Sequence, residues 1–126
     1  MNVLLDTCAL LALARGELPE GASAALKVAP EACISTVSAW EVAVKAANGK
    51  IRLKEPPLSW FLGLSERYGL REVPLDAQTA CGAAALPFLH RDPFDRVLVA
   101  LAQARALTIL TADHNISAYP GINTLW

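Results

Sequence analysis

Residues 3–15 read VLLDTCALLALAR, and this stretch carries the strongest signals for the fold. The apolar run at residues 3–5 ends at Asp6, which is typical of a short strand buried in a parallel sheet. Thr7–Arg15 then follows the pattern of a helix, and Gly16 provides a C-terminal stop. The stretch therefore predicts a buried strand that leads directly into a helix.

The alternation of apolar runs with helical segments continues along the chain. Further strands are predicted over residues 32–35, 70–75, 107–111 and 122–125. Helices are predicted over residues 20–29, from Thr36 or Ser38 to about Asn48, over 58–68, from Asp76 through Leu86 and from Asp92 through Arg105. This alternation is typical of an α/β fold with a central, mainly parallel sheet flanked by helices on both faces. The chain has 126 residues, so we expect residues 1–126 to form a single domain of this kind.

Composition and charge exclude several classes of protein. Hydrophobic residues make up 54% of the chain and the net charge is −1, which excludes disorder and argues against a protein that coats DNA through a basic surface. The apolar stretches are too short for a membrane span, and Asp6 interrupts the N-terminus before a secretory signal can form. We therefore expect a cytoplasmic protein. Three widely spaced cysteines, Cys8, Cys33 and Cys81, are interpreted as buried free thiols.

Five acidic residues fall where an α/β fold places its ligand site. Asp6 follows the first strand, and Asp113 lies two residues beyond the strongest strand. Glu41 is about one turn into the helix after the second strand, while Asp92 and Asp95 begin the helix before the strongest strand. Because ligands of such sheets bind beyond the carboxyl ends of the strands, we expect these carboxylates to converge at one edge.

Each of these acids also has a purely structural interpretation. Asp6 and Asp92 can cap the helices that follow them. Ser38 and Glu41 fit the S-x-x-E capping box. Asp95 can complement the dipole of its helix, and Asp113 can be an ordinary turn residue. The residues alone leave these alternatives open.

Two of the acids border apolar helical surface, which favours a chemical role. Glu41 stands between Val37 and Val44 on its helix, and Asp95 shares a side with Leu98. Buried, converging carboxylates are costly and repel one another, and a hard divalent cation relieves both problems. Because the sequence has no cysteine or histidine cluster, the carboxylates favour Mg²⁺, with Mn²⁺ as a substitute. Such a site suits phosphodiester hydrolysis by an activated water.

Four motifs occur in a fixed order along the chain: VLLDT at residues 3–7, STVSAWE at 35–41, RDPFDR at 91–96 and LTAD at 110–113. Together they resemble the motifs of PIN-domain ribonucleases, and the DPFDR segment is most similar to the VapC-type toxins of toxin–antitoxin pairs. The resemblance implies a compact α/β fold and a metal-dependent endoribonuclease whose products carry a 5′-phosphate and a 3′-hydroxyl. It also implies a homodimer that is blocked by a cognate antitoxin.

The resemblance extends to individual residues. The catalytic, metal-holding quartet of the family is matched by Asp6, Glu41, Asp95 and Asp113. Asp92 matches an additional acid of the DPFDR subgroup. Thr7 and Thr111 match hydroxyl positions that line the site.

The resulting hypothesis is a Mg²⁺-dependent endoribonuclease that acts on RNA as the toxin of a toxin–antitoxin pair. Lys45 and Arg96 are candidates for contacts with RNA phosphates. His90 and His114 lie in polar loops and are interpreted as surface histidines, with a contact between His90 and the site as the alternative. The alternatives are a non-toxin PIN-domain nuclease, a catalytically silent RNA- or protein-binding module and a Mg²⁺-binding receiver-type signalling domain. A receiver domain needs a late lysine, and no lysine follows Lys54.

The apolar content further predicts an oligomer, most simply a two-fold dimer. So small a domain cannot hide all of its aromatic and aliphatic side chains, and a large exposed apolar patch usually marks an interface. In the helix over 58–68 we expect Leu58, Phe61 and Leu62 to face the core. Trp60 and Leu64 are then left for the dimer contact.

Overall fold

The computed structural model describes residues 1–126 and contains five strands and seven helices. The strands are β1 Val3–Leu5, β2 Ala32–Ser35, β3 Arg71–Val73, β4 Thr108–Leu110 and β5 Asn123–Leu125. The helices are α1 Thr7–Arg15, α2 Glu20–Val28, α3 Thr36–Ala47, α4 Pro57–Tyr68, α5 Ala77–Ala85, α6 Pro93–Arg105 and α7 His114–Ser117. All the predicted strands and helices are present, and the short helix α7 is an addition to the prediction.

The five strands form one sheet in the order β3-β2-β1-β4-β5, with every neighbouring pair parallel. β1 lies at the centre, where Val3 pairs with Ala32 of β2 and Leu4 pairs with Ile109 of β4. The order steps outward from β1 in both directions, so the carboxyl ends of β1, β2 and β4 lie side by side. The predicted parallel sheet is confirmed.

Two apolar clusters cover the two faces of the sheet. Val3 and Leu5 pack on one face with residues of α1, α2 and α4, while Leu4 packs on the other face with residues of α6 and α7. Successive strand residues point to opposite faces, so the unbroken apolar run at residues 3–5 serves both clusters. Helices on both faces, as predicted, are therefore a direct consequence of that run.

The start of α3 differs from the predicted capping box. Ser35, the last residue of β2, is the cap, and its side chain accepts a hydrogen bond from the backbone N–H of Val37 at 3.2 Å. Ser38 is fully buried inside the first turn, so the S-x-x-E interpretation of Ser38 and Glu41 is wrong. The reason is that β2 runs into α3 without a linker, which moves the cap onto the strand.

The buried face of α4 also differs from the prediction. Trp60, Phe61 and Leu64 are buried, whereas Leu58 and Leu62 are 67% and 50% exposed. The observed stripe carries two aromatic rings, and it therefore buries more apolar surface than the predicted one. Trp60 and Leu64 pack into the core, so they do not offer the exposed face that was predicted for the dimer contact.

The cysteines are all free, as predicted, but only Cys33 is buried. Cys8 and Cys81 are exposed on helices α1 and α5. Burial was predicted from composition, which does not distinguish the inner face of a helix from its outer face. As for membranes, no helix in this structure has the length and apolarity needed to cross one.

Candidate active site

Asp6 lies at the carboxyl end of the central strand and is 3% exposed. Its backbone N–H donates to the carbonyl of Leu110 at 3.2 Å, which joins the ends of β1 and β4. Its side chain caps α1 by accepting a hydrogen bond from the N–H of Ala9 at 2.7 Å. Burial raises the pKa of Asp6, against the lowering effect of hydrogen bonds from Thr111 and Ala9. The helix-capping interpretation is thus correct, yet the buried carboxylate stays electrostatically costly.

Asp92 and Asp95 form the start of α6. Asp92 is the cap, and its carboxylate accepts hydrogen bonds from the N–H groups of Phe94 at 2.9 Å and Asp95 at 3.4 Å. Burial, followed by the nearby charge of Asp92, raises the pKa of Asp95 to about 7. A carboxylate with so high a pKa is poorly solvated and gains from a positive partner.

Asp95 has a partner in His90, which had been expected at the surface, with a contact to the site as the alternative. The ring nitrogen Nε2 of His90 lies 2.9 Å from Oδ2 of Asp95, in a part-buried contact. The polar loop around His90 favoured the surface interpretation, and the structure supports the alternative, a contact with the site. The position of His90 immediately before the acid-bearing RDPFD segment is the signal that could have placed it in the site.

His90, Asp95 and Asp113 converge on one point. Each offers one ligand atom, and these atoms lie within 4.8 Å of one another. Asp113 is held by two local contacts: its carboxylate accepts from the N–H of Asn115 at 2.8 Å, and its own N–H donates to the hydroxyl of Thr111 at 3.0 Å. The three side chains have the spacing needed to hold a metal ion.

Glu41 approaches the same region from α3. It is 6% exposed, and its Oε2 accepts from Nζ of Lys45 at 2.7 Å, one helical turn away. Its other oxygen, Oε1, is buried with no hydrogen-bond partner. The charge of Glu41 contributes to the raised pKa of both Asp6 and Asp95, so the carboxylates from β1, α3 and α6 share one electrostatic environment.

Lys45 is occupied by this pairing rather than free at the surface. The hydrogen bond with Glu41 raises the pKa of Lys45, and the side chain is 33% exposed. Lys45 therefore borders the site, but its ammonium already forms an ion pair with the carboxylate of Glu41.

Thr7 and Thr111 both lie at the site, buried beside the acids. The hydroxyl of Thr7 donates to the hydroxyl of Ser38 at 3.1 Å, which ties α1 to α3. The side chain of Thr111 forms a hydrogen bond with Asp6, which follows β1, and its hydroxyl accepts a hydrogen bond from the N–H of Asp113, which follows β4. Both hydroxyls therefore position the elements that carry the carboxylates.

Arg96 is a correction. Arg96 was a candidate for contacts with RNA phosphates, but the residue is only 8% exposed. Its guanidinium donates to backbone carbonyls of the end of α5 and of the segment between α5 and α6, and to the hydroxyl of Tyr119. The side chain is folded inward because α5 packs over this part of α6, so it is not available to a phosphate.

Comparison with known proteins decides the family. Residues 3–122 match the model of the PIN domain. This chain belongs to the PIN-domain family. It is 32% identical over 112 residues to Ribonuclease VapC22 of Mycobacterium tuberculosis, in an alignment that covers 86% of this chain and 85% of that protein. The resemblance found in the four sequence motifs is confirmed.

Solved structures show the same PIN-domain fold. A chain in the crystal structure of VapBC2 from Rickettsia felis bound to a promoter DNA fragment matches with a TM-score of 0.73 and 17% identity, covering 98% of this chain and 97% of that one. A chain in a toxin–antitoxin complex from Klebsiella pneumoniae matches with a TM-score of 0.67 and 24% identity, and the match covers 95% of this chain and 94% of that one. At these identities the matches establish the fold.

Proposed function

We propose that this PIN domain is a divalent-metal-dependent endoribonuclease and the toxin of a toxin–antitoxin pair. The observation that carries the proposal is the convergence at one sheet edge of carboxylates from four separate segments, one of which has a buried oxygen with no partner. The similarity to a protein named as a ribonuclease supports RNA as the substrate. A silent binding module gives no reason for this concentration of negative charge, and a receiver domain needs a late lysine, whereas no lysine follows Lys54.

The residues present fit a divalent cation. Burial raises the pKa of Asp6 and Asp95, and a positive ion between the acids offsets both the desolvation and the repulsion. Carboxylate oxygens suit Mg²⁺ and Mn²⁺, and the single imidazole is compatible with Mn²⁺. We assign the metal to Asp6, Asp95 and Asp113, directly or through water, with Glu41 as a further ligand or water-orienting base.

A bound cation supplies charge neutralisation and water activation for hydrolysis of a phosphodiester. The remaining work is done by the protein. Lys45 holds Oε2 of Glu41, which leaves Oε1 free to orient a water or accept its proton. The caps formed by Asp92 and Asp113 fix the starts of α6 and α7, so the acids keep their positions. Cleavage is expected to leave a 5′-phosphate and a 3′-hydroxyl.

Titration calorimetry with Mn²⁺ tests the metal assignment. Asp6→Asn and Asp95→Asn should both weaken binding, because they come from remote segments that meet at the site. Asp76→Asn is the matched control, since Asp76 is an exposed helix cap on α5. Unchanged Mn²⁺ binding in either site variant removes that residue from the ligand set, and unchanged binding in both contradicts the proposed centre.

An antitoxin partner is supported by a groove between α1, α4 and the residues that precede α4. The groove has a volume of about 490 Å³, with Leu11, Trp60 and Leu64 among its apolar lining. Four cations but only one acid line it: Arg15, Arg52, Lys54, Arg67 and Glu55. This pattern suits an amphipathic, acidic segment, and we propose that the antitoxin supplies one.

Co-expression with the product of a gene adjacent to that of this chain tests this partner. The wild-type chain should co-purify with that product, and the double variant Arg52→Glu, Arg67→Glu should not. Arg71→Glu, at an exposed position of β3 outside the groove lining, should retain the partner as the wild type does. Retention of the partner by the double variant places the contact elsewhere.

We also propose a homodimer, with a contact surface revised from the prediction. Leu58 and Leu62 are exposed one turn apart on α4, and Trp40, 61% exposed, lies on the neighbouring helix α3. Together they offer apolar surface that the isolated chain leaves in water, which favours a self-complementary contact between two copies.

A further inference from the structure

The buried Arg96 makes six contacts with the chain around it. From Nη1, the distances to the carbonyls of Pro87 and His90 and to the hydroxyl of Tyr119 are 3.0, 3.4 and 3.2 Å. From Nη2, the carbonyls of Ala83, Leu86 and Ala84 lie at 2.8, 3.0 and 3.4 Å. No carboxylate forms an ion pair with this guanidinium. One side chain on α6 therefore holds the end of α5, the following loop and Tyr119, two residues beyond α7.

This arrangement requires an arginine. A buried cation without a counter-ion is costly, and here the balance comes from carbonyls of the last turn of α5, the negative end of that helix. The planar fork of the guanidinium reaches two groups of acceptors at once. The single ammonium of a lysine has the charge but not the fork. The ring of Phe88, centred 5.3 Å from the guanidinium carbon, covers the group from outside.

The segment held in this way, residues 86–92, is the one that carries His90. The carbonyl of His90 accepts from Arg96, and its N–H donates to the hydroxyl of Tyr119 at 3.1 Å. The same hydroxyl accepts from Arg96 at 3.2 Å. The backbone of His90 is thus fixed on both sides, and its ring then lies 2.9 Å from Asp95.

We propose that Arg96 is a positioning residue of the site: its guanidinium fixes the 86–92 segment so that the His90 ring lies against Asp95. Arg96 and Asp95 are adjacent on α6. The same helix turn therefore carries the arginine that holds the 86–92 segment and the carboxylate that His90 of this segment contacts. The placement of His90 stands on the metal-free structure. Its consequence for metal binding rests on the metal-dependent function proposed above.

The test uses Arg96→Lys and Arg96→Met in the full chain. Arg105→Lys is the matched control, because Arg105 is exposed on the last turn of the same helix. The chain has two histidines, and His114 is exposed, so its ring resonances serve as an internal reference for an unconstrained imidazole. Ring spectra by NMR are recorded on metal-free protein, followed by calorimetric titration with Mn²⁺.

We expect the His90 ring signals of both Arg96 variants to move toward those of His114, with no change in the control. The Mn²⁺ dissociation constant should rise about 10- to 100-fold, as is usual when a partner that orients a metal ligand is removed. A folded Arg96→Lys that has a lower melting temperature, unmoved His90 signals and unchanged Mn²⁺ affinity overturns the proposal, since it shows a structural role alone.

Two further outcomes keep the proposal distinct from the proposed function. A wild-type protein that binds no Mn²⁺ contradicts the metal-dependent function, while the metal-free spectra still decide the role of Arg96. If both Arg96 variants fail to fold, Tyr119→Phe decides, because it removes only the hydroxyl shared by Arg96 and His90. The His90 ring should then move part of the way toward His114, and an unmoved ring overturns the proposal.

Discussion

Replacing Asp95 with asparagine should stabilise the metal-free protein at alkaline pH. Burial and the charge of Asp92 raise the pKa of Asp95 from 3.8 to about 7. Folding therefore takes up a proton at this group between those two values. The contribution of Asp95 to stability is fully present below the unfolded pKa of 3.8 and is lost as pH rises through about 7.

The size of the effect follows from the shift. A difference of about three pKa units corresponds to on the order of 4 kcal/mol between the protonated and ionised forms. The side chain is 14% exposed, so solvent screening reduces this only modestly. Asparagine has the shape of the protonated acid, and its side-chain oxygen still accepts a hydrogen bond from His90. The variant should thus gain up to about 4 kcal/mol over the wild type near pH 8, and almost nothing near pH 4.

Urea unfolding with a metal chelator, repeated from acid to alkaline pH, measures the difference. Asp76→Asn is the control with the opposite sign. Hydrogen bonds from Thr79 lower the pKa of Asp76, so that carboxylate contributes stability above its unfolded pKa that is lost as pH falls. Its replacement should not stabilise the protein at alkaline pH. An Asp95→Asn variant with no gain there, or with a gain confined to acid pH, refutes the reasoning that ionising Asp95 costs stability.

Other variants probe the core, the site and the assembly. Leu4→Ala, at a fully buried position in β1, should cost about 2–5 kcal/mol in urea unfolding and leave Mn²⁺ binding by the folded fraction unchanged; a loss below the lower bound contradicts the central role of β1. Lys45→Met removes the partner of Glu41 and should destabilise the metal-free protein by about 1–2 kcal/mol, allowing for the exposure of Lys45. Saturating Mn²⁺ should raise the free energy of unfolding of that variant by more than it raises that of the wild type. An equal increase in both contradicts a role for Glu41 at the metal. Light scattering at micromolar concentration should report twice the chain mass for the wild type and a monomer for Leu62→Glu; a monomeric wild type contradicts the dimer.

The sheet was predictable because its signals are local. β1 and β2 are short apolar runs that end at a helix cap: Asp6 follows β1, and Ser35 is the last residue of β2. Parallel pairing then follows from the helices between the strands. The convergence of the acids follows in turn from their positions after strand ends, which is a property of the topology rather than of any side-chain contact.

The placement of Arg96 was not predictable from such local signals. On α6 it shares a stripe with Ala100 and Gln103, which looks polar and therefore exposed. In the fold, α5 covers part of that stripe, and Gly82 lies close enough that a Cβ added there would meet the Cβ of Ala100 at 3.9 Å. Only the tertiary packing of α5 turns Arg96 inward, and His90 is placed by the same contacts.

Cleavage of a mixed RNA pool tests the central claim most directly. Wild-type protein with saturating Mg²⁺ should produce fragments that carry a 5′-phosphate and a 3′-hydroxyl, and chelation of the metal should abolish them. Asp6→Ala should remain folded and produce no fragments, whereas Asp76→Asn should cleave as the wild type does. If Asp6→Ala cleaves as well as the wild type at saturating Mg²⁺, the carboxylate of Asp6 is not needed for hydrolysis, and the proposed metal-dependent mechanism is contradicted.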